Sequence, residues 1–270
     1  MLEHEFDRIE RAPAYRLVYD AIERQILAGR LRAGDPLPAE MQLAEQFGVN
    51  RSTVREGIRL LEQSGLVERD GGKRPRISLP HYLDLASTAS RALILHSVTF
   101  RELWAASMVL EPAIAEAAAR CADPAMLAEL SANLAEMEAS VVQFEGGTEI
   151  DVIAFVRLDR IFHEILANIG GNRVLALAHE PVISLFIPAG QLILPRLKTY
   201  RRVLEAHRII FDCLSAKDHA KARLWMHKHM DDFRRAYEMT SLSLDAPLDA
   251  VSLGVAPRLA ARSREKIGRA

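Results

Sequence analysis

Residues 37–61 read Leu37-Pro38-Ala39-Glu40-Met41-Gln42-Leu43-Ala44-Glu45-Gln46-Phe47-Gly48-Val49-Asn50-Arg51-Ser52-Thr53-Val54-Arg55-Glu56-Gly57-Ile58-Arg59-Leu60-Leu61, and their punctuation decides the fold. Pro38 suits the first turn of a helix and Gly48 its end, so a helix is expected over Ala39 to Phe47. The next helix starts near Asn50 and runs to about Ser64, with Val54, Ile58 and Leu61 apolar and Gly65 just past its end. Upstream, Leu17, Val18, Ala21, Ile22, Ile26 and Leu27 fall on one helical face, Gly29 stops it, and Gly34-Asp35-Pro36-Leu37-Pro38 makes a turn. Downstream, Leu66 to Arg69, Asp70-Gly71-Gly72 and Arg74 to Leu79 read as a two-stranded hairpin around an Asp-Gly turn.

Helix, helix-turn-helix and small hairpin, in that order, make a winged helix. Asn50, Arg51, Ser52, Thr53 and Arg55 cluster at the head of its third helix, while the apolar residues point inward. A helix start offers free N–H groups and a positive dipole end, both suited to phosphate, and guanidinium groups reach phosphates or the guanine edge in a major groove. Gly72-Lys73-Arg74 adds charge at the hairpin tip. Between Arg51 and Arg76 seven basic residues face four acidic ones, whereas the whole chain carries a formal net charge of -1. The excess is local, which fits one nucleic-acid-reading face on a neutral protein.

The chain has 270 residues, 49% hydrophobic and 26% charged, enough for two globular domains and too apolar for wholesale disorder. Cys121 and Cys213 lie far apart in apolar helical patterns, which suggests two buried, reduced thiols and no disulfide framework. The acidic start, Met1-Leu2-Glu3-His4-Glu5, lacks an apolar targeting core, so a cytoplasmic protein is expected. Val174 to Leu194 is apolar enough to raise a membrane question, but His179, Glu180, Pro181, Pro188 and Gln191 interrupt it. It reads as a buried helix, kinked or broken at its prolines. Three zones follow: a winged helix over 1–80, an all-helical antiparallel bundle over 81–240, and a disordered or loosely docked tail over 241–270. The fold class is therefore mainly α.

In the bundle, Phe155, Leu158, Phe162 and Leu166 form an apolar stripe, and Asp159 and His163, four apart, overlap it. A carboxylate there is costly unless paired or bound to a cation. His207 sits among Val203, Leu204, Ile210 and Phe211; His229 aligns with Trp225, Met226 and Phe233, while His227 faces the polar side. One Asp and three His from three helices suit a divalent transition metal such as Zn, Ni, Mn or Fe. The competing reading is a hydrogen-bonded Asp–His pair beside two unrelated core histidines. A metallohydrolase is a third, but the His163-Glu164 start of an HExxH pattern meets Ala167 where a second His belongs.

Residues 15–79 resemble the DNA-binding domain of the GntR family of bacterial regulators. The resemblance rests on Gly29-Arg30-Leu31-Arg32-Ala33-Gly34-Asp35-Pro36-Leu37-Pro38-Ala39-Glu40, Leu43-Ala44-Glu45, Gly48 to Glu56, and Leu60-Leu61-Glu62-Gln63-Ser64-Gly65-Leu66-Val67. It implies phosphate and base contacts from Arg51, Thr53 and Arg55, with Gly72 at the wing tip. Met41 stands where the family usually has a basic residue. Residues 82–240 resemble the FCD effector domain of the FadR-type subgroup, whose metal-binding members carry ligands at the positions of Asp159, His163, His207 and His229. That resemblance implies a homodimer on a near-palindromic double-stranded DNA operator, an effector that is frequently a small carboxylate, and a ligand-responsive repressor. It also implies an effector-binding Arg ahead of Leu110-Glu111-Pro112. Ser107 holds that position here, and Arg173, Arg201 and Arg202 are the candidate substitutes. A purely structural metal remains the alternative.

Overall fold

Ala14–Leu27 forms α1, Glu40–Phe47 α2 and Arg51–Gln63 α3 in the computed structural model, which describes residues 12–69, 74–79 and 82–248. Gly48 caps α2 in the left-handed region at φ 64°, where a side chain is strained, and so permits the tight turn into α3. Asn50 caps α3 by accepting from the Thr53 N–H at 2.8 Å. Val54, Ile58 and Leu61 of α3 bury against Val18 and Ile22 of α1 and Leu43 of α2. Burying each such side chain stabilises the unit by about 1.5–3 kcal/mol before entropy is counted.

Gly57 marks the closest approach of α1 and α3. A Cβ there would lie 2.8 Å from Val18 Cγ1 and 3.0 Å from the Tyr15 carbonyl oxygen. The hairpin is short: β1 (Val67–Glu68) pairs antiparallel with β2 (Arg76–Ile77), Val67 opposite Ile77, and both of those residues are buried under α3. Its tip, Asp70 to Lys73, lies outside the described residues, so the expectations for Gly72 and Lys73 fall there too.

The chain divides into two units, Met1–Asp84 and Leu85–Ala270. The remaining helices are α4 (Tyr82–Leu95), α5 (Phe100–Cys121), α6 (Pro124–Glu145), α7 (Val152–Ile169), α8 (Arg173–Leu197), α9 (Tyr200–Ser215) and α10 (His219–Met239). Their starts are written in the sequence. Thr99 and Glu102 make a reciprocal capping box on α5, and Asp123, Asp151, Asn172 and Asp218 cap α6, α7, α8 and α10. α10 packs most extensively on α5, and α7 on α8. Asn133 of α6 donates to the Leu158 carbonyl of α7 at 3.1 Å, and Arg160 of α7 meets Glu180 of α8 at 2.8 Å. These contacts fix α7, the helix that carries Asp159 and His163.

Two expectations need correction, and a third is qualified. α8 is one helix through Pro181, Pro188 and Pro195 rather than broken at them. Each proline forfeits one backbone hydrogen bond, but Ile183, Leu185, Phe186, Ala189, Ile193 and Leu194 pack into the core along the same length. α8 is long and apolar enough to cross a membrane by composition, yet it buries His179 and Glu180 within the unit. Cys121 is exposed, at the very end of α5, and only Cys213 is buried. Of the stretch expected to be a disordered or loosely docked tail, residues 241–248 dock and 249–270 lie outside the described residues: Leu248 N–H donates to the Val98 carbonyl at 2.8 Å, Arg101 N–H to the Leu244 carbonyl at 2.9 Å, and Arg101 grips Asp245 through two hydrogen bonds. Leu244 and Leu248 are buried. This strap continues directly from α10.

Candidate functional site

The head of α3 presents the residues expected to meet DNA. Arg51 and Arg55 leave 62% and 60% of their side chains exposed, so both guanidiniums can reach a partner. Glu40, at the start of α2, accepts from Arg51 at 2.8 Å and from Arg55 at 3.1 Å. Arg55 and then Arg51 hold its carboxyl below the usual range. One carboxylate thus spreads two cations along the first turns of α3 in fixed positions. Exposed pairs of this kind are worth only about 0–1 kcal/mol, so the arginines can exchange Glu40 for phosphate at little cost.

Asn50 has a different part from its neighbours. Its Oδ1 accepts from Ser52 Oγ at 2.7 Å, from Thr53 Oγ1 at 2.8 Å and from the Thr53 N–H, so it organises the helix start. The two hydroxyls donate to Asn50 and can re-aim those protons toward another acceptor.

The second site lies inside the bundle. Asp159 and His163 of α7, His207 of α9 and His229 of α10 bring one ligand atom each to within 4.8 Å of one another. His207 Nε2 stands 3.2 Å from His229 Nε2 and 3.4 Å from Asp159 Oδ1. Phe162 stacks flat on the His207 ring at 3.7 Å and sets its orientation. The histidines are buried; Asp159 keeps 24% of its side chain exposed.

The electrostatics keep His207 and His229 neutral. Burial, helped by neighbouring His163, brings His229 down to about 3. Burial, then His229 and His163, holds His207 well below its ordinary value. Burial pushes Asp159 up to about 6, against the pull of His163. The facing nitrogens of His207 and His229 therefore carry at most one proton between them. His207 Nδ1 is buried with no hydrogen-bond partner among the described residues. Lone pairs converging with a carboxylate at this spacing fit a tetrahedral or higher N/O coordination sphere.

Behind His163 lies a feature that the sequence reading did not reach. Glu111 of α5, 1% exposed, accepts from His163 Nδ1 at 2.9 Å and from His179 Nε2 of α8 at 2.7 Å. Burial opposes its ionisation, but the two imidazoles outweigh it and hold the carboxyl far below the carboxylate range. His163 in turn is raised, its burial outweighed by Glu111.

Of the expected effector contacts, the structure brings only Arg202 near the cluster. A groove of about 400 Å³ between α8, α9 and α10 is lined by Arg202 and Asp232, by His229, and by an apolar wall including Leu194, Val203 and Phe233. Ser107 is buried and its hydroxyl donates to the Trp104 carbonyl at 2.8 Å, so it offers a ligand no proton. Arg173 sits exposed on the first turn of α8 and does not line the groove. Arg201 is held by Glu145.

A three-helix reading head with a short hairpin, followed by a helical bundle that gathers one aspartate and three histidines, is the plan of a DNA-binding transcription regulator. Residues 14–77 match the model of the bacterial regulatory proteins of the gntR family, and residues 102–232 match the FCD domain model. The chain's matches are regulators, not enzymes. It is 29% identical over 176 residues to the "Glc operon transcriptional activator" of Escherichia coli (strain K12), spanning 65% of this chain and 68% of that one. It is 25% identical over 228 residues to the "HTH-type transcriptional repressor NanR" of Salmonella newport (strain SL254), spanning 83% and 85%. The solved structure of a GntR protein from Streptococcus agalactiae superposes with a TM-score of 0.59 at 27% identity, covering 82% of this chain and 99% of that one.

Proposed function

We propose that the protein is a cytoplasmic, ligand-responsive repressor that binds a near-palindromic operator as a homodimer, its effector held at a metal-centred cavity. The observation that carries this reading is the groove between α8, α9 and α10, which reaches His229 of the Asp–His cluster. Its volume suits a small molecule. Asp159, His163, His207 and His229 would hold the divalent ion, and the ion would supply a positive centre for an oxygen-bearing ligand. Arg202 lies on the groove wall, paired with Asp232 at 2.9 Å; an anionic ligand there has to displace that carboxylate. The apolar wall favours a ligand with one polar end over a polyanion.

On the DNA side, Arg51, Thr53 and Arg55 supply base and phosphate contacts, Ser52 can turn its hydroxyl proton from Asn50 to a phosphate oxygen, and Asn50 holds the helix start. A two-fold dimer would place two copies of α3 about 34 Å apart, in successive major grooves. The test begins with DNA selected from a random pool by the purified protein, followed by anisotropy with metal-loaded and metal-stripped protein and with any molecule that native mass spectrometry finds bound. Two-fold symmetric sequences released by that molecule support the proposal. Selected DNA without symmetry, or affinity indifferent to both metal and molecule, refutes it; indifference coupled with early melting of stripped protein identifies a purely structural metal. A reporter placed behind the selected sequence reads the sign, since one relative carries the name of an activator and another that of a repressor.

A further inference from the structure

Glu111 is a carboxylate with nothing but protein around it, on a helix that contributes no residue to the Asp–His cluster. An unpaired buried charge costs several kcal/mol, so its partners define its purpose. Both oxygens are occupied: Oε2 by His163 Nδ1 at 2.9 Å, Oε1 by His179 Nε2 at 2.7 Å. An ionised carboxylate only accepts, so both of those ring nitrogens carry protons. The consequence for His163 follows at once. In the neutral ring, with Nδ1–H committed to Glu111, the lone pair is on Nε2.

His179 is not a ligand of the first cluster. It is fully buried, and its Nδ1 has no partner among the described residues. Among the described residues its one hydrogen bond is the proton it gives to Glu111 Oε1, which would otherwise be a bare oxygen facing the core.

We propose that Glu111 and His179 form a buried relay, reaching from α5 and α8, that locks His163 in the tautomer able to bind metal through Nε2. Glu111 is the positioning residue for His163, and His179 the positioning residue for Glu111. The same three groups lie close enough together to hold an ion themselves. The distances favour the relay: 2.7 and 2.9 Å are hydrogen-bond lengths, and an ion inserted between these atoms would sit at about 2.0–2.2 Å from each and strip both protons. A ligating histidine whose second nitrogen donates to a carboxylate is better oriented and more basic toward the metal.

The inference rests on the metal reading above, so its experiment separates the two. In metal-free, full-length protein at pH 8, long-range 15N NMR of the histidine rings should show His163 protonated on Nδ1 and His179 on Nε2. His163 protonated on Nε2 overturns the relay, whether or not metal binds. With Co(II) as probe, competition against a chromophoric chelator should give one ion per chain, and Glu111→Gln should weaken it about 10- to 100-fold with a changed visible spectrum. His179→Gln, whose amide can still donate, should restore most of the affinity that His179→Leu loses; thermal unfolding of each metal-free variant identifies any that fail to fold. Two ions per chain, or Glu111→Gln with wild-type affinity and spectrum, overturns the proposal. Wild-type protein that binds no Co(II) or Zn(II) sinks the metal reading alone, and the ring tautomers then decide the relay by themselves.

Discussion

Replacing Gly57 by Ala should destabilise the reading head, although the same change in an exposed helix stabilises. The new Cβ would lie 2.8 Å from Val18 Cγ1, 3.0 Å from Val18 Cβ and 3.0 Å from the Tyr15 carbonyl oxygen. Carbon atoms pack at about 3.5–4.0 Å, so α1 and α3 must part by roughly 0.7 Å. Neither obstacle yields easily: one is backbone, the other a β-branched side chain with a single favoured rotamer. Overpacking of this kind costs about 1–3 kcal/mol, against about 1 kcal/mol gained from alanine's helix propensity. The balance is a loss of about 1 kcal/mol. Amide hydrogen exchange in full-length protein is the suitable assay, because it reads α1 and α3 without assuming that the two units unfold together. A loss of about 1 kcal/mol speeds exchange of their core amides about fivefold. Unchanged or slower exchange would show that the interface has slack, and that the glycine has no steric reason to be there.

Arg51→Ala and Arg55→Ala should each cost operator binding about 1–3 kcal/mol where a base edge is contacted, and should lower the salt slope by about one where the contact is phosphate, with the fold intact by circular dichroism; unaltered affinity in both removes α3 as the reading helix. Asp159→Ala and His207→Ala should each reduce metal content measured by elemental analysis, and full occupancy in both eliminates this ligand set. Metal affinity should fall as pH drops, because two ligands must release protons to bind: Asp159, raised to about 6, and His163, raised above its ordinary value. His207 and His229 are depressed and stay unprotonated in that window. A loss of at least about tenfold between pH 7 and pH 5 is expected in chelator competition, and a flat profile would contradict these assignments.

Much of this architecture is legible before any coordinates. Pro38, Gly48 and Gly65 bracket α2 and α3, and the i, i+4 spacing of Asp159 and His163 on an apolar stripe places them inward, where the structure has them. His207 and His229 follow because each shares a face with residues that pack in the core, while His227 turns outward. Glu111 escaped because a charged residue beside Pro112 reads as a motif, not as part of a face. The signal was present: Leu103, Ser107, Glu111 and Ala115 recur every four residues, and all are buried. In sequence His179 reads as an interruption of an apolar run, although Ala176 and Ile183 put it on the buried side of α8. Ser107 shows the opposite failure. Its position promised a ligand contact, but a buried serine on a helix satisfies itself on the preceding turn, as its bond to the Trp104 carbonyl does. Long-range pairings such as Arg101 with Asp245 leave no periodic trace at all.

The eight residues after Thr240 carry a practical consequence for anyone who handles this chain. The helical pattern stops there, which makes Thr240 the natural place to cut. A truncation at that point would remove Leu244 and Leu248 from the corner where α5 begins, leave Val98 without its backbone donor, and free Arg101 to solvent. α10, which bears His229, would lose its tether at the same stroke. Tags, cleavage sites and deletions belong beyond Leu248; a shorter protein that misbehaves would be reporting a missing latch and not a missing function.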